Sequence, residues 1–195
     1  NKNSEAFKAL LKSKTGESNL WPTDQILSEK LLTRPIYKEE KNNSRSISNI
    51  LLEIEHFLHD KKQENVTVSN DRITVEHILP QTWFENWPLK GRTITLEEFH
   101  LAPHAVMTEE DKNGLFHQIQ NRNDALHSIG NLTILTSSLN PSLSNDKFLL
   151  KRDEISSKSL LLLNKYFEKV DDWDENEILK RSEYLITIIK KIWVY

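Results

Sequence analysis

A chain of 195 residues, 37% hydrophobic and 28% charged, has enough apolar content to exclude disorder throughout and enough length for one fair-sized domain or a small catalytic core wrapped in helices. Four glycines are few for a sandwich or barrel and favour a helix-rich protein, while a formal net charge of −3 gives no global pull toward nucleic acid, so a DNA contact must rest on local charge. The absence of cysteine excludes disulfides, a catalytic thiol and thiolate zinc sites, leaving His, Asp, Glu and Asn as ligands for a hard metal ion.

In chain order, Ser4 to about Lys14 reads as a helix made basic by Lys2, Lys8, Lys12 and Lys14 and stopped by Gly16. WPTDQILSEKLLTRPIY offers Thr23 or Asp24 as an N-cap, Ile26, Leu27, Leu31 and Leu32 at helical spacing, and Pro35 as terminator. A third helix, Ser46 to about His59, carries the stripe Ile47, Ile50, Leu51, Ile54, Phe57 and Leu58. The period then changes to two: Val66, Val68, Ile73, Val75 and His77, with a turn at residues 69–71, predict a hairpin reaching Leu79. Asn86 to Pro103 reads as polar and irregular, and Thr108 with Asp111 forms a capping box expected to open a helix to about Leu126. Leu132 to Leu135 is a second strand, followed by a polar loop, a helix from Asp146, and helices over roughly Glu154–Glu168 and Asp174–Trp193. No apolar run approaches the roughly 18 to 20 residues of a membrane span, and nothing resembles a signal peptide, so the expected location is the cytoplasm. The start at Asn1, already inside a helical pattern, is expected of the C-terminal portion of a longer protein.

Glu76 and His77 are the residues that chemistry values and cores avoid. Neighbours on a strand point to opposite faces, so the two can share a cleft only where the strand frays, and Pro80, lacking an N–H, is expected to supply the fraying. Much later Asn131 stands on the lip of the second strand and Asn140 in the loop before a helix. Hairpin, strand and helix give the outline of a ββα-metal site. His100 and His104, with His117 further on, make a poor zinc set, because Pro103 interrupts the pair and the glutamate of an HExxH motif is missing.

The segments EHILPQ, HSIGNLTIL and SLNPSLSNDKFLLKR, in that order, resemble the HNH (His-Me finger) nuclease motif as it occurs in the C-terminal domain of GmrSD-type modification-dependent restriction enzymes and in SspE-like phosphorothioate-sensing proteins. WPTDQILSEKLLTRPIY and the closing helices extend the similarity over most of the chain. The resemblance implies a mainly α fold with a small ββα-metal (HNH) core and helices before and after it. Residues 1–65 would form an N-terminal helical part, 66–155 the nuclease core with a helical insertion at about 84–126, and 156–195 C-terminal helices packed on the same domain.

By the same resemblance His77 is the general base, Glu76 the first ligand of Mg²⁺ or Mn²⁺, Asn131 the amide that pins the loop and orients the base, and Asn140 the group that completes the metal site. His127 resembles a recurrent histidine with a phosphate-contacting, supporting or simply structural role, and Lys147, Lys151 and Arg152 are candidate phosphate-binding cations. Trp83, Trp87 and Phe99 either stack on bases or pack in the core. The implied function is a metal-dependent DNA endonuclease or nickase, the effector of a bacterial anti-phage modification-dependent restriction system. An N-terminal nucleotide-hydrolysing sensor domain would precede it in the same protein, and double-strand cleavage would call for a homodimer. Two alternatives stay open: a nuclease fold without catalysis that binds DNA or protein, and a helical bundle in which Glu76 and His77 are incidental.

Overall fold

The computed structural model describes residues 5–6, 9–10, 13, 22–37, 43–59, 73–105, 114–139 and 146–193. Helix α1, Asp24–Thr33, starts where the Thr23 side chain accepts from the Ile26 N–H, and ends at an extended Arg34, the conformation a following proline imposes. Helix α2 spans Asn43–Leu58 and turns Ile47, Leu51, Ile54 and also Glu55 into the interior. That buried carboxylate accepts from the N–H groups of Leu162 (2.9 Å) and Leu163 (2.7 Å), capping a 3₁₀ run at Leu162–Lys169. Of the expected Ser4–Lys14 helix, residues 5, 6, 9 and 10 are helical and most of the rest lies outside the described residues.

Strand β1, Ile73–His77, pairs antiparallel with β2, Leu132–Thr136, in a register running from Ile73↔Thr136 to His77↔Leu132. The partner of β1 is thus a strand far along the chain, while Val66 and Val68 of the expected hairpin lie outside the described residues. Leu132 to Leu135 are all buried because both faces of β2 are covered. Ile134 belongs to a cluster with Leu51 and Ile54 of α2 and Leu185 of the last helix, whereas Leu135 joins Ile78, Leu79, Trp83, Trp87, Phe148 and Trp173.

Between the strands the chain is more ordered than expected. A 3₁₀ turn at Trp83–Glu85 is followed by α3, Leu96–Leu101, which opens on a complete capping box between Thr95 and Glu98. Helix α4, Leu115–Leu126, begins on an extended Gly114, so it does not run through from Thr108; the expected capping box at 108 and 111 lies outside the described residues. Trp83 and Trp87 are buried and Phe99 packs against them, with the Trp83 indole donating to Asn123 (2.9 Å) and the Arg122 guanidinium 4.9 Å from its ring. Core packing is therefore the role these residues take.

After the sheet come α5, Phe148–Lys158, the 3₁₀ run and α6, Glu175–Ile192, capped by the Asp174 side chain. The single helix expected over Glu154–Glu168 is divided, because Ser159 and Leu161 adopt extended backbone. Among the described residues the fold is mostly helical with one small two-stranded sheet, and no helix is long and apolar enough to cross a membrane.

Candidate active site at the end of the sheet

Asn131 is fully buried at the start of β2, and every hydrogen-bonding position of its amide is used. Its Oδ1 accepts from the Leu79 N–H (2.8 Å) and the Trp173 indole N–H (3.0 Å), and its Nδ2 donates to the carbonyls of Leu79 (2.9 Å) and Leu126 (2.8 Å). The Asn131 carbonyl also accepts from Ile78 N–H at 3.0 Å. The two residues that follow His77 are thereby fixed to the turn that begins β2. A saturated amide has no valence left for a ligand, so the work of Asn131 is to hold.

A further group that the sequence does not single out holds the same turn. Arg181 of α6 is wholly buried and donates to the carbonyls of Gly130 and Leu132, both at 2.7 Å, while its guanidinium lies 4.6 Å from the Phe167 ring centroid. Burial lowers its pKa to about 9, which leaves it charged at neutral pH. Gly130 is there because α6 passes too close for a side chain: a Cβ would fall 2.0 Å from the Ile178 carbonyl oxygen.

His77 ends β1 still in register with Leu132, so the expected fraying is not what places it. The strand stays regular, and neighbouring side chains find different partners. The His77 ring is buried, its Nε2 3.3 Å from Nδ1 of His127, with one of the two nitrogens carrying the proton between them. Tyr37, from the loop after α1, covers both rings, edge-on to His77 at 4.5 Å and stacked on His127 at 5.9 Å. Burial first, then the nearby positive charges, lowers the His77 pKa to about 3, so the imidazole is neutral at neutral pH.

Glu76 meets Lys151 instead. The Lys151 ammonium lies 2.8 Å from Glu76 Oε1 and 3.0 Å from the His77 carbonyl oxygen, and its side chain has no exposed surface. Lys151 shares the inward face of α5 with Phe148 and Ile155. Burial works against both charges, raising the Glu76 pKa and lowering that of Lys151, while their mutual attraction opposes the effect on each side. Lys151 is thus a strut inside the site rather than a surface cation.

The other sequence candidates are more scattered. Lys147, exposed at the N-cap of α5, lines a cleft of about 720 Å³ with Trp87, Lys90, Phe148 and Trp173, the last of which touches Asn131. Arg152 turns away, donating to the Val170 carbonyl (3.1 Å) and to Asp171 (3.2 Å). Asn140 lies outside the described residues. Among the described residues the Glu76 carboxylate is a hard oxygen donor of the kind Mg²⁺ and Mn²⁺ accept, part-exposed and paired with Lys151. Among the described residues no group of three or more His, Cys, Asp or Glu side chains is placed to hold a metal.

Neither curated proteins nor solved structures provide a match to the chain. The family model for the C-terminal domain of GmrSD restriction endonucleases matches residues 21–188, which takes in Tyr37, both strands, Asn131 and Lys151, and the chain belongs to that family.

Proposed function

We propose that this restriction endonuclease-type domain cuts or nicks DNA by metal-dependent hydrolysis of phosphodiester bonds, with β1, β2 and α5 serving as an HNH (ββα-metal) core. The observation that carries the reading is the Asn131 knot, which binds the segment after His77 to the turn before β2 and brings together two motif segments separated by the whole insertion. In this reading His77 is the general base. In the tautomer that donates Nε2–H to His127 Nδ1, the Nδ1 of His77 is the nitrogen that takes a proton from the attacking water. Glu76 and Asn140 would hold Mg²⁺ or Mn²⁺, which when bound neutralises charge developing on the phosphate and the leaving oxygen. Lys147, exposed and lining the cleft, would contact a flanking phosphate.

The biological setting that suits this chemistry is a bacterial anti-phage system in which a nucleotide-hydrolysing sensor domain recognises modified DNA and this domain cuts it. A nuclease fold without catalysis draws its support from the burial of His77 beneath Tyr37. Incubation of supercoiled plasmid with wild type and Glu76→Ala, across Mg²⁺, Mn²⁺ and chelator, separates the two readings. Nicking that needs the ion and falls at least about 100-fold in the variant supports the nuclease. A wild type that binds DNA but leaves it intact at every ion concentration supports the binding module.

A further inference from the structure

The same face of α5 that carries Phe148 and Ile155 into the core carries Lys151 between them, where an aliphatic side chain is the ordinary occupant. A buried ammonium persists only if oxygen acceptors surround it, and Lys151 has two: Oε1 of Glu76 and the carbonyl of His77. Those acceptors belong to the two residues that the nuclease reading makes metal ligand and base. A divalent ion on the Glu76 carboxylate would lie within a few ångströms of the ammonium, where two cations repel strongly in a medium shielded from water. The lysine side chain, hinged at four single bonds, is the mobile partner of the two.

We infer that Lys151 is the resident counter-ion of the metal site: it holds the Glu76 carboxylate in the metal-free domain and must yield that oxygen for a divalent ion to bind. The inference rests on Glu76 being a metal ligand. It makes the metal-free state closed, with the carboxylate neutralised and the end of β1 clamped through the His77 carbonyl. Metal affinity is set lower than the donor atoms alone would give. Release of the ammonium is then the step through which whatever activates the domain can act on its metal site.

Calorimetric titration of Mn²⁺ into wild type, Lys151→Met, Glu76→Ala and the Glu76→Ala/Lys151→Met double variant tests this without recourse to cleavage. Methionine keeps the length and apolar stem of lysine, and circular dichroism with a thermal melt establishes that each variant is folded; Lys151→Gln takes its place if the methionine variant is not. The expected result is Mn²⁺ binding about 10-fold or more tighter in Lys151→Met than in wild type, abolished in both variants that lack Glu76. Unchanged or weaker binding in a folded Lys151→Met protein, with Glu76-dependent binding intact in wild type, overturns the counter-ion role and leaves the metal reading standing. Absence of binding in wild type and Lys151→Met alike overturns both together, as does tight binding that survives the loss of Glu76.

Discussion

Two knots tie the end of the sheet, and they are built on opposite principles. Around Asn131 a neutral amide meets four neutral partners, each at 2.8–3.0 Å, with nothing left over. Around Lys151 two charges have been taken out of water, and on each the attraction of the other opposes the effect of burial. The first arrangement can only hold geometry. The second joins two charges, and on the metal reading proposed above it is the one that exchanges partners when an ion binds.

Breaking the neutral knot should cost the most. Asn131→Ala leaves the N–H groups of Leu79 and Trp173 and the carbonyls of Leu79 and Leu126 without their partner in the interior, and roughly 4 kcal/mol or more of stability should be lost, read as a fall in the urea midpoint. Asn131→Asp should recover little, because a carboxylate cannot donate to the two carbonyls.

The charged knot should respond differently. Glu76→Leu strands a buried ammonium and should cost about 3 kcal/mol, whereas Glu76→Leu/Lys151→Met replaces the pair with apolar bulk and should restore most of that loss in a thermal melt. A double variant no more stable than the single one would show that the pair is held by more than mutual neutralisation.

Acid sharpens the comparison through His77, which sits between the two. Its folded pKa of about 3 lies below the ordinary 6.5, so on acidification the unfolded chain takes the proton first. The His77 contribution is present in full above pH 6.5 and is lost as pH falls from there toward 3, at about 1.4 kcal/mol per pH unit. Unfolding curves of wild type and His77→Phe across this range should converge by that slope. Smallest of all should be Arg152→Ala: its ion pair with Asp171 is surface-screened and should be worth roughly 0.5 kcal/mol in the same melt.

How much of this was readable beforehand follows from the physics of each element. Helix α1 announces itself through period and cap, α2 and α6 through period, and the motif segments point to His77 and Asn131. The cap box at Thr95 and Glu98 is equally visible in the sequence, but it lies in a polar stretch with no apolar stripe to mark a helix. Lys151 reads from sequence as a phosphate-binding surface cation, and nothing there singles out Arg181, because lysine and arginine are ordinarily surface residues, although Phe148–Lys151–Ile155 and Ile178–Arg181–Leu185 each lie on one helical stripe. No local pattern marks Tyr37, whose place over two histidines depends on how the loop after α1 meets a strand and a helix end far away in sequence.

The central claim is that the imidazole at the end of β1 removes a proton from water during DNA hydrolysis. Its most direct test is the rate of plasmid nicking by folded His77→Ala, with DNA affinity followed by fluorescence anisotropy on the same preparation. The account predicts a rate at least about 100-fold below wild type with affinity unchanged. Nicking at the wild-type rate by a protein lacking that ring would contradict it.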